Sequence, residues 1–232
     1  MKRWSLVYGM IGLILAVSLV VLLLLPGEAD VAAWAPEQGT VLIDAGHGGI
    51  DGGAVGAAGS LEKDLNLAVA EKYELLLTLF GVPCAMTRTT DTSLDDGTGE
   101  TIARRKADDI KRRVALANAS ALLVSVHMNF FQDPQYWGTQ VFYSKNHEDS
   151  PCLAECLQTA ARTLLAPENT RESKMGEDSI YLLRNVTVPA VIVECGFLSN
   201  PAEEARLGTA AYQSAMAAAL CAGTLNYLRT AG

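Results

Sequence analysis

The chain has 232 residues, of which 50% are hydrophobic and 19% are charged, and its formal net charge is −8 at pH 7. It is too apolar for a disordered chain and too long for a miniprotein held together by disulfides. An acidic chain lacks the electrostatic footprint that nucleic-acid binding requires, so we expect no nucleic-acid partner.

The first predicted element is an apolar segment, because residues 4–25 contain no charged side chain. A helix of that length would extend about 33 Å, enough to cross a hydrocarbon core of about 30 Å. Lys2 and Arg3 precede the segment, which predicts a cytoplasmic N-terminus and an extracytoplasmic remainder. The segment is longer than the core of a typical signal peptide, which favours a retained anchor. Ala33-Trp34-Ala35 resembles a cleavage site, so secretion after cleavage is the alternative.

We therefore divide the chain into two parts. Residues 1–35 are interpreted as a membrane anchor or uncleaved signal segment with a short linker, and residues 36–232 as one domain. In that domain the predicted strands are 41–43, 82–87, 122–126, 139–143, 180–183 and 191–193, and the predicted helices are 61–80, 101–119, 151–165 and about 209–229. Apolar strands separated by helices of crossover length are typical of a largely parallel sheet covered on both faces. The predicted fold class is α/β: a single domain with a mostly parallel six-stranded sheet flanked by helices, preceded by one N-terminal transmembrane helix.

The densest basic cluster lies on the second of these helices, between Arg104 and Arg113, and is interleaved with acidic residues. Spacings of four residues predict ion pairs between Arg105 and Asp109 and between Asp108 and Arg112. This pattern favours a solvated helix face over a binding patch. The five cysteines are odd in number and include no C-x-x-C pair, so we interpret them as structural thiols.

Three of the predicted strands are followed by residues that can bind metals or transfer protons. His47 follows the first strand, His127 follows strand 122–126, and Glu194 follows strand 191–193. The carboxyl ends of parallel strands meet at one edge of a sheet, where functional groups gather. Glu62 opens the first helix directly after a glycine-rich loop, residues 46–59. Two histidines and one glutamate match the ligands of a catalytic zinc site, and a second glutamate would serve as general base for the water.

Each of these residues also has a purely structural interpretation. Glu62 would complement the helix dipole, and His127 would be a core histidine with its hydrogen bonds satisfied. Glu194 is harder to explain this way, because a carboxylate that ends an apolar strand is rarely buried without a partner. Spacing alone therefore supports the zinc site and the structural interpretation about equally. The glycine loop lacks the Gly-Lys-Ser/Thr of a phosphate-binding loop, which favours tight backbone turns around a ligand.

Four sequence blocks resemble the zinc-dependent N-acetylmuramoyl-L-alanine amidases of the amidase-3 type. They occur in the family's order and are VLIDAGHGGIDGGAVG, SLEKDLNLAVA, LLVSVHMN and AVIVECGFLSNPAE. The resemblance covers residues 40–230. It implies that His47, Glu62 and His127 bind one Zn²⁺ per chain and that Glu194 is the catalytic carboxylate.

The same resemblance places Asn129 near the substrate. Ala45 and Cys195 depart from the commoner family residues, and neither departure changes a ligand. The implied reaction is hydrolysis of the amide bond between N-acetylmuramic acid and L-alanine in peptidoglycan.

Other segments resemble the sporulation- or germination-specific amidases of endospore formers, namely TRTTDTSL, ARRKADDIKRRV and YLLRNVTVPA. This resemblance implies action on the spore cortex, between the forespore and mother-cell membranes. It also implies functional coupling to a muramic acid deacetylase, with muramic-δ-lactam as the joint product, and an activating lipoprotein partner as some members require.

Two other functions stay open at this point. One is a membrane-tethered, non-catalytic module that binds peptidoglycan or regulates its turnover. The other is a zinc deacetylase or peptidase of the cell wall, which would keep the metal and cut a different bond. A degenerate, non-catalytic relative is expected to lack a ligand or the carboxylate, and all four residues are present in this chain.

Overall fold

The computed structural model describes residues 39–231, which form a six-stranded sheet with helices on both of its faces. The strands are β1 (Val41–Ala45), β2 (Cys84–Met86), β3 (Leu122–Asn129), β4 (Gln140–Tyr143), β5 (Lys174–Met175) and β6 (Ala190–Phe197). The helices are α1 (Glu62–Leu79), α2 (Ile102–Asn118), α3 (Ser150–Leu165), α4 (Tyr181–Asn185), α5 (Pro201–Leu207) and α6 (Ala210–Ala231).

The strand order in space is β2-β1-β3-β6-β4-β5, and every neighbouring pair is parallel except β4 and β6. This confirms the predicted α/β domain with a mostly parallel six-stranded sheet. The predicted transmembrane segment, residues 4–25, lies outside the described residues. Within 39–231 no helix combines the length and the apolar character needed to span a membrane.

The two faces of the sheet are covered unequally. The larger core packs one face of the sheet against α1, α3 and α6, with Val124, Val126 and Val193 among the strand residues. The smaller core packs Leu123 and Ile192 on the other face against α2 and α4. Full burial of such a side chain stabilises the fold by about 1.5–3 kcal/mol. Because side chains alternate along a strand, His127 and Glu194 share the second, less covered face.

The short helix α4, which precedes β6, replaces one of the predicted strands. The segment 180–183 was expected to be a strand, but Tyr181–Asn185 is the helix α4, with Arg184 N–H donating to the carbonyl of Ile180 at 3.0 Å. An apolar run of four residues does not distinguish a strand from a buried helical turn, and here Leu182 and Leu183 are buried against the sheet. The sixth strand is instead Lys174–Met175, a short, exposed edge strand without an apolar pattern.

The arginines of α2 do not form the predicted pairs. Arg105 pairs with Asp95 at 2.6 Å and Arg112 with Asp96 at 2.9 Å, because the acidic loop before α2 folds back along the helix. Asp109, the expected partner of Arg105, instead binds Arg113 at 2.6 Å.

The five cysteines are free thiols, of which Cys152 is exposed and Cys84 and Cys156 are half-buried. Cys195 and Cys221 are buried in the larger core, where burial raises the pKa of each thiol above its ordinary value. These side chains act as small apolar groups in the packing.

Candidate metal centre

His47 occupies a strained position in the loop that follows β1. Its φ of 62° lies in the left-handed region, which costs a non-glycine residue about 1–3 kcal/mol. Two contacts hold the residue in this conformation. Arg113 Nη2 donates to the His47 carbonyl at 2.6 Å, and Asp51 Oδ2 lies 2.8 Å from His47 Nδ1. Strain that is held in place by its surroundings is typical of functional sites.

Glu62 is the first residue of α1, and its carboxylate faces two imidazole rings. Oε1 lies 3.1 Å from Nε2 of His47 and 2.9 Å from Nδ1 of His127. Oε1 also accepts a hydrogen bond from Met128 N–H at 3.2 Å, and Oε2 accepts one from Ala54 N–H at 2.8 Å. An interaction with the helix dipole alone would not require this burial, since only 4% of the residue is exposed.

The glycine loop caps α1 with its own carbonyl groups. The residue before the helix, Leu61, makes no side-chain cap. Instead Glu62 N–H donates to the Ala54 carbonyl at 3.0 Å, and Lys63 N–H donates to the Gly52 carbonyl at 3.2 Å. These bonds satisfy donors that a helix N-terminus otherwise leaves free, and they fix Glu62 to the loop that carries His47.

Two glycines of this loop are required by the side chains they contact. A Cβ at Gly46 would collide with the ring of His127. A Cβ at Gly53 would lie 2.5 Å from Oε2 of Glu62, and the φ of Gly53 is +68°. The loop therefore turns tightly around the site's own side chains.

His47, Glu62 and His127 form a compact group of metal donors. One ligand atom from each residue can be chosen so that all three lie within 4.8 Å of one another. Two imidazole nitrogens with one carboxylate oxygen are a common zinc donor set, so these residues fit Zn²⁺ chemically. Asp51 at Nδ1 of His47 supplies the outer carboxylate that commonly orients a metal-binding histidine.

The mutual contacts of these groups shift their pKa values. Burial acts to lower the pKa of His47, but hydrogen bonds with Asp51 and Glu62 outweigh it and raise the pKa to about 9. Burial acts to raise the pKa of Glu62, but the two histidines outweigh it and hold that pKa well below its ordinary range. The carboxylate of Glu62 is therefore ionised at neutral pH, as a metal ligand must be.

Glu194 lies beside this group on β6, directly opposite His127 on β3. Its Oε2 is buried and has no hydrogen-bond partner among the described residues. Burial raises the pKa of Glu194 to about 7; nearby Glu62 adds to the rise, and the positive character of His127 and His47 opposes it. A carboxyl group with a pKa near neutrality suits proton transfer in either direction.

Asn129 ends β3, beyond a register irregularity that follows His127. Its carbonyl accepts a hydrogen bond from Leu198 N–H at 2.8 Å, and its side-chain amide makes no hydrogen bond within residues 39–231. The placement of Asn129 near the substrate stays a prediction.

Arg113 is a site residue that the sequence analysis assigned to a solvated face, and this assignment was wrong. The residue is only 2% exposed, pairs with Asp44 of β1 and donates to the carbonyls of Ala45 and His47. The sequence did contain a signal that Arg113 is buried. The residue lies three positions after Ile110 and four before Ala117, which places it on the apolar face of α2. The sequence analysis also gave no role to Asp51, which contacts His47. Its position in the glycine loop, four residues after that histidine, was a signal that could have identified it.

Asn66 is a third residue that was missed. It is fully buried on α1 and donates from Nδ2 to the Gly46 carbonyl at 3.0 Å. It thereby connects the helix to the loop from a second point.

The chain is similar to known amidases over most of its length. The family model described as N-acetylmuramoyl-L-alanine amidase matches residues 41–226. The germination-specific N-acetylmuramoyl-L-alanine amidase of Bacillus subtilis is 38% identical over 200 residues, which cover 85% of this chain and 83% of that protein. The CwlD amidase from Clostridioides difficile, solved in complex with the GerS lipoprotein, has a TM-score of 0.78 and 36% identity, covering 82% of this chain and 98% of that one. The catalytic domain of CwlV from Bacillus (Paenibacillus) polymyxa has a TM-score of 0.68 and 31% identity. The match covers 83% of this chain and 98% of that one.

Proposed function

The chain belongs to the N-acetylmuramoyl-L-alanine amidase family and is a peptidoglycan amidase, and from this premise we propose that it cleaves the bond between N-acetylmuramic acid and L-alanine at a zinc centre. His47, Glu62 and His127 would hold the metal. The observation that carries the proposal is the convergence of these three donors beside Glu194, whose buried Oε2 lacks a partner among the described residues.

The protein's own groups prepare the centre before substrate arrives. Zn²⁺, when bound, supplies a Lewis acid for the attacking water and for the scissile carbonyl. Asp51 orients the ring of His47, and the N–H groups of Ala54 and Met128 fix the two oxygens of Glu62. Groups held in this way need no rearrangement during the reaction.

Glu194 is proposed to move the proton. Its carboxylate accepts a proton from the water as the oxygen attacks the lactyl carbonyl. It then returns this proton to the alanine nitrogen as the C–N bond breaks, which leaves a carboxylic acid on the muramic acid and a free amine on the peptide. A carboxyl group with a pKa near 7 suits both halves of this exchange.

Product analysis tests the activity directly. We expect the purified chain to release new N-terminal L-alanine from peptidoglycan, to lose this activity with a chelator and to recover it with Zn²⁺. A deacetylase would release acetate, a peptidase would expose other N-termini, and a non-catalytic module would bind without products. His127→Ala should lose zinc and activity together, and full zinc content with a normal rate in this variant would refute the assigned site.

A role in the spore cortex is the finer proposal. It is supported by the 38% identity to a germination-specific amidase. Removal of the stem peptide exposes the lactyl carboxylate that a muramic acid deacetylase needs for muramic-δ-lactam formation. Cortex from a strain without the chain should lack muramic-δ-lactam, and cortex with normal lactam content would refute this role.

We also propose an activating lipoprotein, because the CwlD amidase was solved with the GerS lipoprotein. The proposed place of action is extracytoplasmic, with residues 1–35 as the membrane anchor. Deletion of residues 1–35 should move the protein from the membrane fraction to the soluble fraction, and unchanged membrane association would contradict the anchor.

A further inference from the structure

A groove at the β4–β5 edge of the sheet has no role in the reaction described so far. It has a volume of about 510 Å³, and its lining includes Tyr136, Trp137, Gln140, Arg171 and Lys174. This volume lies within the range of about 300–1,000 Å³ that small-molecule sites occupy.

The groove begins next to the proposed catalytic carboxylate. Gln140 pairs with Glu194 across β4 and β6. Directly opposite residues have Cβ atoms about 4.5–5.5 Å apart on the same face of the sheet. Gln140 Oε1 lies in turn 3.5 Å from Nη1 of Arg171. Only one side chain therefore separates Arg171 from Glu194.

Arg171 is held rigidly by its surroundings. Its Nε donates to the Trp137 carbonyl at 2.9 Å, and its backbone N–H donates to Oδ1 of the buried Asn169 at 3.0 Å. The guanidinium carbon lies 4.7 Å from the centre of the Phe197 ring. Stacking and hydrogen bonds of this kind fix the planar group before a ligand binds.

Within residues 39–231 the charge of Glu203 interacts with that of Arg171 without forming a salt bridge, and Oε2 of Glu203 instead accepts hydrogen bonds from the N–H groups of Gly138 and Phe197. No ion pair involves this side chain in that part of the chain, and its Nη2 makes no hydrogen bond there. Glu172 and Lys174 also line the groove, and their charges offset one another. A fixed guanidinium that retains free donors in a groove is suited to recognising a carboxylate.

We propose that Arg171 determines specificity by binding a free carboxylate of the stem peptide, on the alanine side of the scissile amide. The inference rests on the proposed function. In the stem peptide L-alanine is followed by D-glutamate linked through its γ-carboxyl, so the α-carboxylate of that residue is free unless it is amidated. Arg171 gives the acidic chain a local cation for this anionic substrate.

Two defined muramoyl peptides that differ only in this group, α-carboxylate or α-carboxamide, test the proposal. We expect the wild-type chain to prefer the carboxylate by about 10–100-fold in kcat/KM, since hydrogen bonds to charged groups contribute that much. Arg171→Gln should reduce the preference to about twofold or less, while Arg171→Lys, which keeps the charge without the fork, should keep part of it.

The ratio between the two substrates separates recognition from a structural role. Arg184→Gln is the matched control, because Arg184 is an exposed arginine that stacks on Tyr181 and does not line the groove; it should keep the wild-type preference. Equal cleavage of both substrates by the wild-type chain, or an unchanged ratio in Arg171→Gln, would overturn the inference and leave the amidase activity standing. Cleavage of neither substrate would instead refute the proposed function, and this inference with it.

Discussion

At the scale of single residues, the candidate centre depends on glycines as much as on its donors. Gly46 has no positive φ, so its backbone accepts alanine, but the added methyl group would collide with the ring of His127. At Gly52, also without a positive φ, the nearest atom to an added Cβ is 4.0 Å away. The two positions lie in the same loop and differ mainly in what a methyl group would meet.

Gly46→Ala is therefore expected to displace His127 and to lower zinc content and activity by at least about tenfold, as changes around metal ligands commonly do. Gly52→Ala is the control and should retain both. Metal analysis and rate measurements on the two folded variants check the prediction. Equal zinc content in both variants would show that His127 is not constrained in this way.

Glu194 carries a second prediction at this scale. Glu194→Gln keeps the volume of the side chain but removes the proton acceptor, so the rate should fall by about 10²–10⁴-fold. Zinc content should stay near that of the wild type, because the three donors are untouched. The check is to measure zinc content, folding by circular dichroism and the amidase rate on the same preparations of both proteins. A folded, zinc-loaded and fully active variant would remove Glu194 from the mechanism.

At the scale of elements, the ion pair between Asp44 and Arg113 joins β1 to α2 beneath the His47 loop. Ser125 of β3 and Thr87 also donate hydrogen bonds to the Asp44 carboxylate. Burial acts to raise the pKa of Asp44, but Arg113 and these hydroxyl groups outweigh it and lower the pKa to about 2. Asp44 therefore binds its proton more weakly in the folded state than in the unfolded chain.

This difference predicts the pH dependence of stability. The folded pKa of about 2 lies below the ordinary value of 3.8. The stabilisation is thus complete above about pH 5 and is lost as the pH falls to about 2, by about 2 kcal/mol. Asp44→Asn removes one of the two carboxylates that pair with the buried Arg113 and leaves Asp109 as the other, so it should cost about 3 kcal/mol at pH 7.

Urea unfolding from pH 7 to pH 2.5 checks this prediction. The wild type and Asp44→Asn share every other carboxylate, so the difference between their free energies of unfolding isolates the effect of Asp44. We expect that difference to shrink toward low pH. Asp108→Asn is the control, because Asp108 pairs with Lys111 at 3.5 Å on the surface and should cost less than about 1 kcal/mol. A difference that stays constant with pH would contradict the argument.

At the scale of the whole molecule, the centre joins three separate parts of the chain, namely the loop after β1, the start of α1 and the end of β3. A ligand that binds only the folded state stabilises it by mass action. Zn²⁺ at 100 times its Kd should add about 2.7 kcal/mol, which raises the Tm of a domain of this size by about 5–10 °C. The hydrophobic cores do not include the metal, so the chelated protein should stay folded at 25 °C.

Calorimetry with and without a chelator measures this shift. His127→Ala is the control, and its Tm should respond far less to Zn²⁺. An equal response in the two proteins would place the stabilising metal somewhere other than the candidate centre.

The sequence by itself determined the order of most elements, the α/β class and the four residues at the strand ends and helix start. These features are local, because the periodicity of a strand or helix and the residue that follows it can be recognised within one continuous segment of sequence. Only the tertiary structure decided which distant groups meet. It placed Glu62 between His47 and His127, buried Arg113 against Asp44 and made β4 antiparallel to β6. It also set Arg171 against Gln140, the residue opposite Glu194. Ion pairs, strand register and edge strands depend on partners far apart in the chain, and no local periodicity records them.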